Sequence, residues 1–80
     1  MKELLEYMVK ELVDNPDDVK ITEEDEDDKT VIFKLSVAED DLGKVIGKKG
    51  RTANSLRIIM RAASAKRGKS SIVKILDDST

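Results

Sequence analysis

Eighty residues make one domain at most, and a chain this short buries only roughly 60% of the surface its unfolded form exposes, so a deep catalytic cavity is not expected. The chain has no cysteine and no histidine, which removes disulfides, thiolate metal sites, the commonest general base and the commonest zinc ligand together. The net charge of −2 is the sum of two unlike halves: residues 1–41 carry five lysines against fifteen acids, and residues 42–80 carry ten Lys and Arg against two Asp.

Met1 to Val13 reads as a helix, with Leu4, Leu5, Met8, Val9 and Leu12 on one stripe at helical spacing. Asp14-Asn15-Pro16-Asp17-Asp18 ends it, because proline disfavours the helical state just before it and Asx residues favour turns. Val19 to Glu24 reads as a short strand, followed by an acidic turn over residues 25–28. Thr30 to Val37 is the clearest strand: Val31, Phe33, Leu35 and Val37 alternate with Ile32, Lys34 and Ser36. A hairpin is the economical pairing of the two strands.

Ala38 to Asp41 is a polar junction in which Ser36 or a neighbour caps the next helix and acids fill its first turn. That helix is short, from about Asp40 to Ile46, since Gly47 follows. After Gly50 a longer helix runs to about Lys66, with Ala53, Leu56, Ile59, Met60 and Ala63 as its apolar stripe. Arg67-Gly68-Lys69 ends it, and Ser71 to Leu76 reads as a last strand with Val73 and Ile75 facing the core. The order is helix, strand, strand, helix, helix, strand. This is an α+β layout with helices on one face of a three-stranded sheet, read as one domain over residues 1–80. Strand parity points Ile32, Ile72 and Leu76 away from that core; either a strand end or tail covers them, or they form a patch for a partner.

The chemistry concentrates in Gly43-Lys44-Val45-Ile46-Gly47-Lys48-Lys49-Gly50-Arg51-Thr52. Two glycines bracket two lysines between a short helix and a longer one. Glycine permits a tight turn and close backbone approach. The helix that follows presents unpaired N–H groups and the positive end of its dipole. With Lys48 and Lys49 above them, these groups make a cradle for a sugar-phosphate backbone. From Leu42 to Leu76 there is no acidic residue, and a segment of one sign attracts phosphates.

Rival glycine loops fail on spacing. A Walker A loop starting at Gly43 needs its second glycine at position 48, which is Lys48; a dinucleotide fingerprint ending at Gly50 needs a glycine at position 45, which is Val45. The bland reading, a helix C-cap followed by a turn, explains one glycine but not two intervening lysines followed by Arg51-Thr52. Asp25 and Asp27 are spaced as at the start of an EF-hand loop, but the glycine and terminal Glu of that loop are missing, and the run Glu23 to Asp28 reads as a solvated hairpin tip.

Ile46-Gly47-Lys48-Lys49-Gly50 matches the I-G-x-x-G core of KH domains, which the chain resembles over essentially its whole length. The order of elements resembles the prokaryotic, type II arrangement, and the string from Gly43 to Thr52 is similar to that of the stand-alone bacterial KhpA family. In KH domains the G-x-x-G loop clamps the backbone of a single strand of about four nucleotides. The resemblance implies that Gly47, Lys48, Lys49 and Gly50 form the clamp. It implies further that Val45, Ile46 and the start of the next helix line an apolar floor for bases, and that Lys44, Arg51 and Arg57 contact phosphates. Arg57, like Arg61, also suits a plain solvated helix face.

The partner implied is single-stranded RNA, with single-stranded DNA chemically acceptable to the same clamp. No catalysis, cofactor, metal or membrane is expected. No apolar run approaches the roughly 18 residues of a membrane span, and the opening Met1-Lys2-Glu3 leads into no signal-peptide core. The lack of cysteine fits a reducing cytoplasm. The resemblance also implies an RNA chaperone or post-transcriptional regulator, acting as a homodimer or as a heterodimer with a KhpB-like KH-containing protein, and tied to cell shape and cell-wall biogenesis. An interaction module built on the same fold is the alternative. One departure matters: Ala53 stands where many KH domains carry a large aliphatic residue, which leaves a shallower floor. With Phe33 and Tyr7 as the only aromatics, stacking platforms are lacking, so affinity should rest on phosphates and depend strongly on salt.

Overall fold

The computed structural model describes residues 1–76. Its order is α1 (Lys2–Leu12), β1 (Lys20–Asp25), β2 (Thr30–Ser36), α2 (Leu42–Ile46), α3 (Arg51–Ala65) and β3 (Ser70–Ile75), the α-β-β-α-α-β order and α+β class expected of a type II KH fold. Short 3₁₀ turns at Pro16–Asp18, Glu39–Asp41 and Lys48–Gly50 join the elements.

β2 is the central strand. It pairs antiparallel with β1, Ile21 opposite Leu35, and parallel with β3, Phe33 opposite Val73. Its alternation is complete: Val31, Phe33 and Leu35 are buried, with Val37 following, while Ile32, Lys34 and Ser36 stay half-exposed on the other face. The helices cover the first face. Leu5 and Val9 of α1, Val45 of α2, and Leu56 and Met60 of α3 close one core with Ile21 and Val73. Burying such an aliphatic or aromatic side chain contributes about 1.5–3 kcal/mol each.

The helical stripes are narrower than their spacing suggests. Leu4, Leu12 and Ile59 remain about two-fifths exposed, because only the central line of each helix meets the sheet. Ser64, at the end of the α3 line, is fully buried and donates to the Met1 sulfur at 3.4 Å. The junction before α2 also differs from expectation. No side chain caps it; Glu39–Asp41 forms a 3₁₀ turn, and Ser36 stays within β2.

Ile32 and Ile72 are register partners on the outer face of the sheet. Ile72 and Leu76 are exposed and Ile32 is half-buried, so no described strand end covers them; a tail after residue 76 lies outside the described residues.

Candidate nucleic-acid interface

The loop between α2 and α3 is built on positive backbone angles. Gly47 has φ 76° and ψ 171°, Lys49 has φ 58° and ψ 25°, and Gly50 has φ 74° and ψ 13°. Lys49 is the only non-glycine residue with positive φ among the described residues. An L side chain costs roughly 1–2 kcal/mol there. The turn is closed by the Gly47 N–H donating to the Gly43 carbonyl at 2.8 Å and the Gly50 N–H donating to the Gly47 carbonyl at 3.1 Å.

The two glycines are not equivalent. A Cβ on Gly47 would overlap the Thr52 hydroxyl and lie 2.8 Å from the Thr52 backbone nitrogen, whereas a Cβ on Gly50 would meet nothing within 4 Å. Gly47 is therefore required by close approach as well as by conformation. Gly50 is required by conformation alone.

No side chain caps the start of α3. The Arg51 N–H donates to the Lys48 carbonyl; the N–H groups that follow it have no acceptor within the helix and sit at the positive end of its dipole, beside the loop. Lys48, Lys49 and Arg51 are exposed there and form no ion pair among the described residues. Ile46, just before the loop, is 38% exposed and offers the apolar surface.

Three residues expected at this site are placed differently. Val45 lies wholly inside the core, where with half-buried Leu42 it attaches the five-residue α2, and it presents no surface to a base. Lys44 pairs with Asp14, and its ammonium lies 3.6 Å from Asp41. The hydrogen bond to Asp14 holds the Lys44 ammonium above its ordinary pKa. Arg57 is half-buried, and its Nε donates to the Val73 carbonyl at 3.3 Å. The Ser70 N–H donates to the Lys29 carbonyl just before β2 and the Leu76 N–H to the Leu35 carbonyl within it, so by alternation the Val73 carbonyl points to the open edge of β3. Arg57 thus covers part of a free sheet edge. Ala53 is 4% exposed and belongs to the buried line of α3.

Sequence reading missed Asp41. Its carboxylate is fully buried and accepts from the Asp14 N–H at 3.1 Å, the Asn15 N–H at 3.0 Å and the Asn15 side-chain amide at 3.0 Å. Burial pushes its pKa up, but the hydrogen bonds from Asp14 and Asn15, with Lys44 nearby, outweigh that and hold it below the ordinary value. In the sequence Asp41 is merely the last of three acids before a helix, and nothing local marks it.

The model of the KhpA/KhpB KH domain matches residues 2–75. The chain belongs to this KhpA/KhpB KH-domain family. The RNA-binding protein KhpA of Aquifex aeolicus is 48% identical over 77 residues, covering 96% of each chain. Those of Halalkalibacterium halodurans, 47% identical over 77 residues, and of Clostridium acetobutylicum, 45% over 76, are covered in full and match 96% and 95% of this chain. These KhpA relatives are named as RNA-binding proteins, not as enzymes. No solved structure matches the chain.

Sheet order gives the charge split of this KhpA/KhpB-type domain a spatial form. The acid-rich strand β1, with exposed Glu23, Glu24 and Asp25, forms one edge; β3, to which Arg57 of α3 is bonded, forms the other. Among the described residues no group of three or more acidic side chains converges as a metal site, and no helix is long and apolar enough to cross a membrane.

Proposed function

We propose that the chain binds single-stranded RNA through the loop Gly47–Gly50, gripping the phosphate backbone more than it reads bases. The observation that carries this reading is the start of α3, capped by no side chain, beside a positive-φ turn whose exposed lysines are free of acidic partners among the described residues. Lys48, Lys49 and Arg51 supply charge, the α3 N–H groups supply donors, and Ile46 supplies a small apolar floor. The relatives' names support RNA over DNA as ligand.

The proposed role is that of a cytoplasmic RNA chaperone or post-transcriptional regulator, active as a homodimer or with a KhpB-like partner that brings a second clamp. Two weak clamps on one strand raise affinity by effective concentration. Exposed Ile58 and Ile59 on α3, and Ile72 and Leu76 on the far sheet face, favour an added role in assembly.

Lys48→Asp combined with Lys49→Asp tests the clamp. RNA binding is expected to fall on the order of a hundredfold at moderate salt, with the fold retained by circular dichroism. Unchanged binding by a folded double variant would leave assembly as the remaining reading. Sedimentation of the pure protein tests assembly: a monomer at all concentrations, with tight RNA binding, rules it out.

A further inference from the structure

We infer that Asp41 is the positioning residue of the clamp, and that Lys44 is its counter-charge and not a phosphate contact. The inference rests on the RNA reading above. The two sides of the clamp are held very differently. α3 is anchored along fifteen residues by Ala53, Leu56, Met60 and Ser64, all buried. α2 is five residues long, too short to persist by itself, and Val45 is its one buried side chain. Yet α2 ends in Gly47, whose N–H is tied to the Gly43 carbonyl, so the placement of α2 sets the placement of the first clamp glycine.

The other end of α2 begins at Asp41. Its buried carboxylate takes the N–H groups of Asp14 and Asn15 and the Asn15 side-chain amide, at 3.0–3.1 Å. One side chain therefore fastens the start of α2 to the turn that leaves α1. Without it, this short helix is held to the core only by buried Val45 and half-buried Leu42. Lys44 completes the fastening, bridging Asp14 and Asp41 from the next turn of the helix. An ammonium between two carboxylates adds little to a phosphate site, because the three groups together carry net negative charge. The role of Asp41 is thus exerted through Gly47, and it needs no contact with RNA.

Asp41→Asn, Asn15→Ala, Lys44→Gln and Lys48→Gln separate these roles, with a labelled oligouridylate as probe. Asp41→Asn and Asn15→Ala are expected to weaken binding about five-fold. They should leave the salt dependence unchanged and speed amide exchange at Gly47 and Gly50 but not at Phe33 or Leu35. Lys44→Gln should leave the slope of log affinity against log salt unchanged, while Lys48→Gln lowers it by about 0.7. Should Asp41→Asn fail to fold, Asn15→Ala, which removes one hydrogen bond, carries the test. Wild-type affinity and exchange in Asn15→Ala would overturn the positioning role. A slope lowered as much by Lys44→Gln as by Lys48→Gln would return Lys44 to the phosphate site. If Lys48→Gln itself leaves the slope unchanged, it is the clamp reading that fails, and exchange at Gly47 and Gly50 still decides the role of Asp41.

Discussion

The two ends of α2 use the same chemistry in opposite ways. At its start, backbone N–H groups of Asp14 and Asn15 converge on a carboxylate that the chain supplies itself, fully buried and closed off from solvent. Beyond its end, no side chain caps the start of α3, and two exposed lysines stand beside it. The first arrangement stabilises the fold, since a buried carboxylate is tolerated only when its hydrogen bonds are made. The second spends no internal anion on its donors and so suits a phosphate from outside. Lys44 and Lys48, four residues apart, divide along the same line: one is paired with acids, the other is not.

Substitutions at the two glycines probe the outward side of this contrast. Gly47→Ala should cost about 3 kcal/mol, from overlap with Thr52 added to a positive φ, and should abolish binding even where the protein still folds. Gly50→Ala meets no neighbour and should cost only about 1 kcal/mol, read by urea denaturation. Equal costs would mean that the clamp is not built on close approach to Thr52.

Acid probes the inward side. A carboxylate held below its ordinary pKa contributes stability that is present above the unfolded value and lost as pH falls through the folded one. Asp41 is such a group, so stability should drop as pH falls below about 4. Glu3 and Asp27 are also depressed and add to the same loss, so the relevant quantity is the difference from Asp41→Asn, whose thermal midpoint should fall less steeply in acid. Lys44, held high by its hydrogen bond to Asp14, contributes stability that is lost as pH rises through its folded value. The smallest effect expected is at Lys49. Relieving its left-handed backbone by Lys49→Gly should stabilise the fold by about 0.5 kcal/mol while weakening RNA binding, the signature of strain kept for function.

Much of the fold was legible because β2 alternates without exception and because proline and glycine mark the chain breaks at residues 16, 47 and 68. The loop was legible for the same local reason, since two glycines around two lysines need no tertiary partner to be recognised. What was not legible depended on distant residues. Asp41 finds Asn15 across 26 positions, and Thr52 makes Gly47 and Gly50 unequal although the two look alike in sequence. The resemblance implied Lys44, Val45 and Arg57 as site residues, but Val45 lies in the core, Lys44 pairs with Asp14, and Arg57 bonds to the Val73 carbonyl at the open edge of β3.

The central claim is that the clamp holds phosphates through Lys48 and Lys49 and through backbone donors at the start of α3. Its most direct test is the salt dependence of oligouridylate binding by the wild-type chain and by Lys48→Gln combined with Lys49→Gln. The slope of log affinity against log salt should become shallower by about 1.4 in the double variant, roughly 0.7 for each phosphate that a lysine no longer neutralises. An identical slope in a folded double variant would contradict the claim.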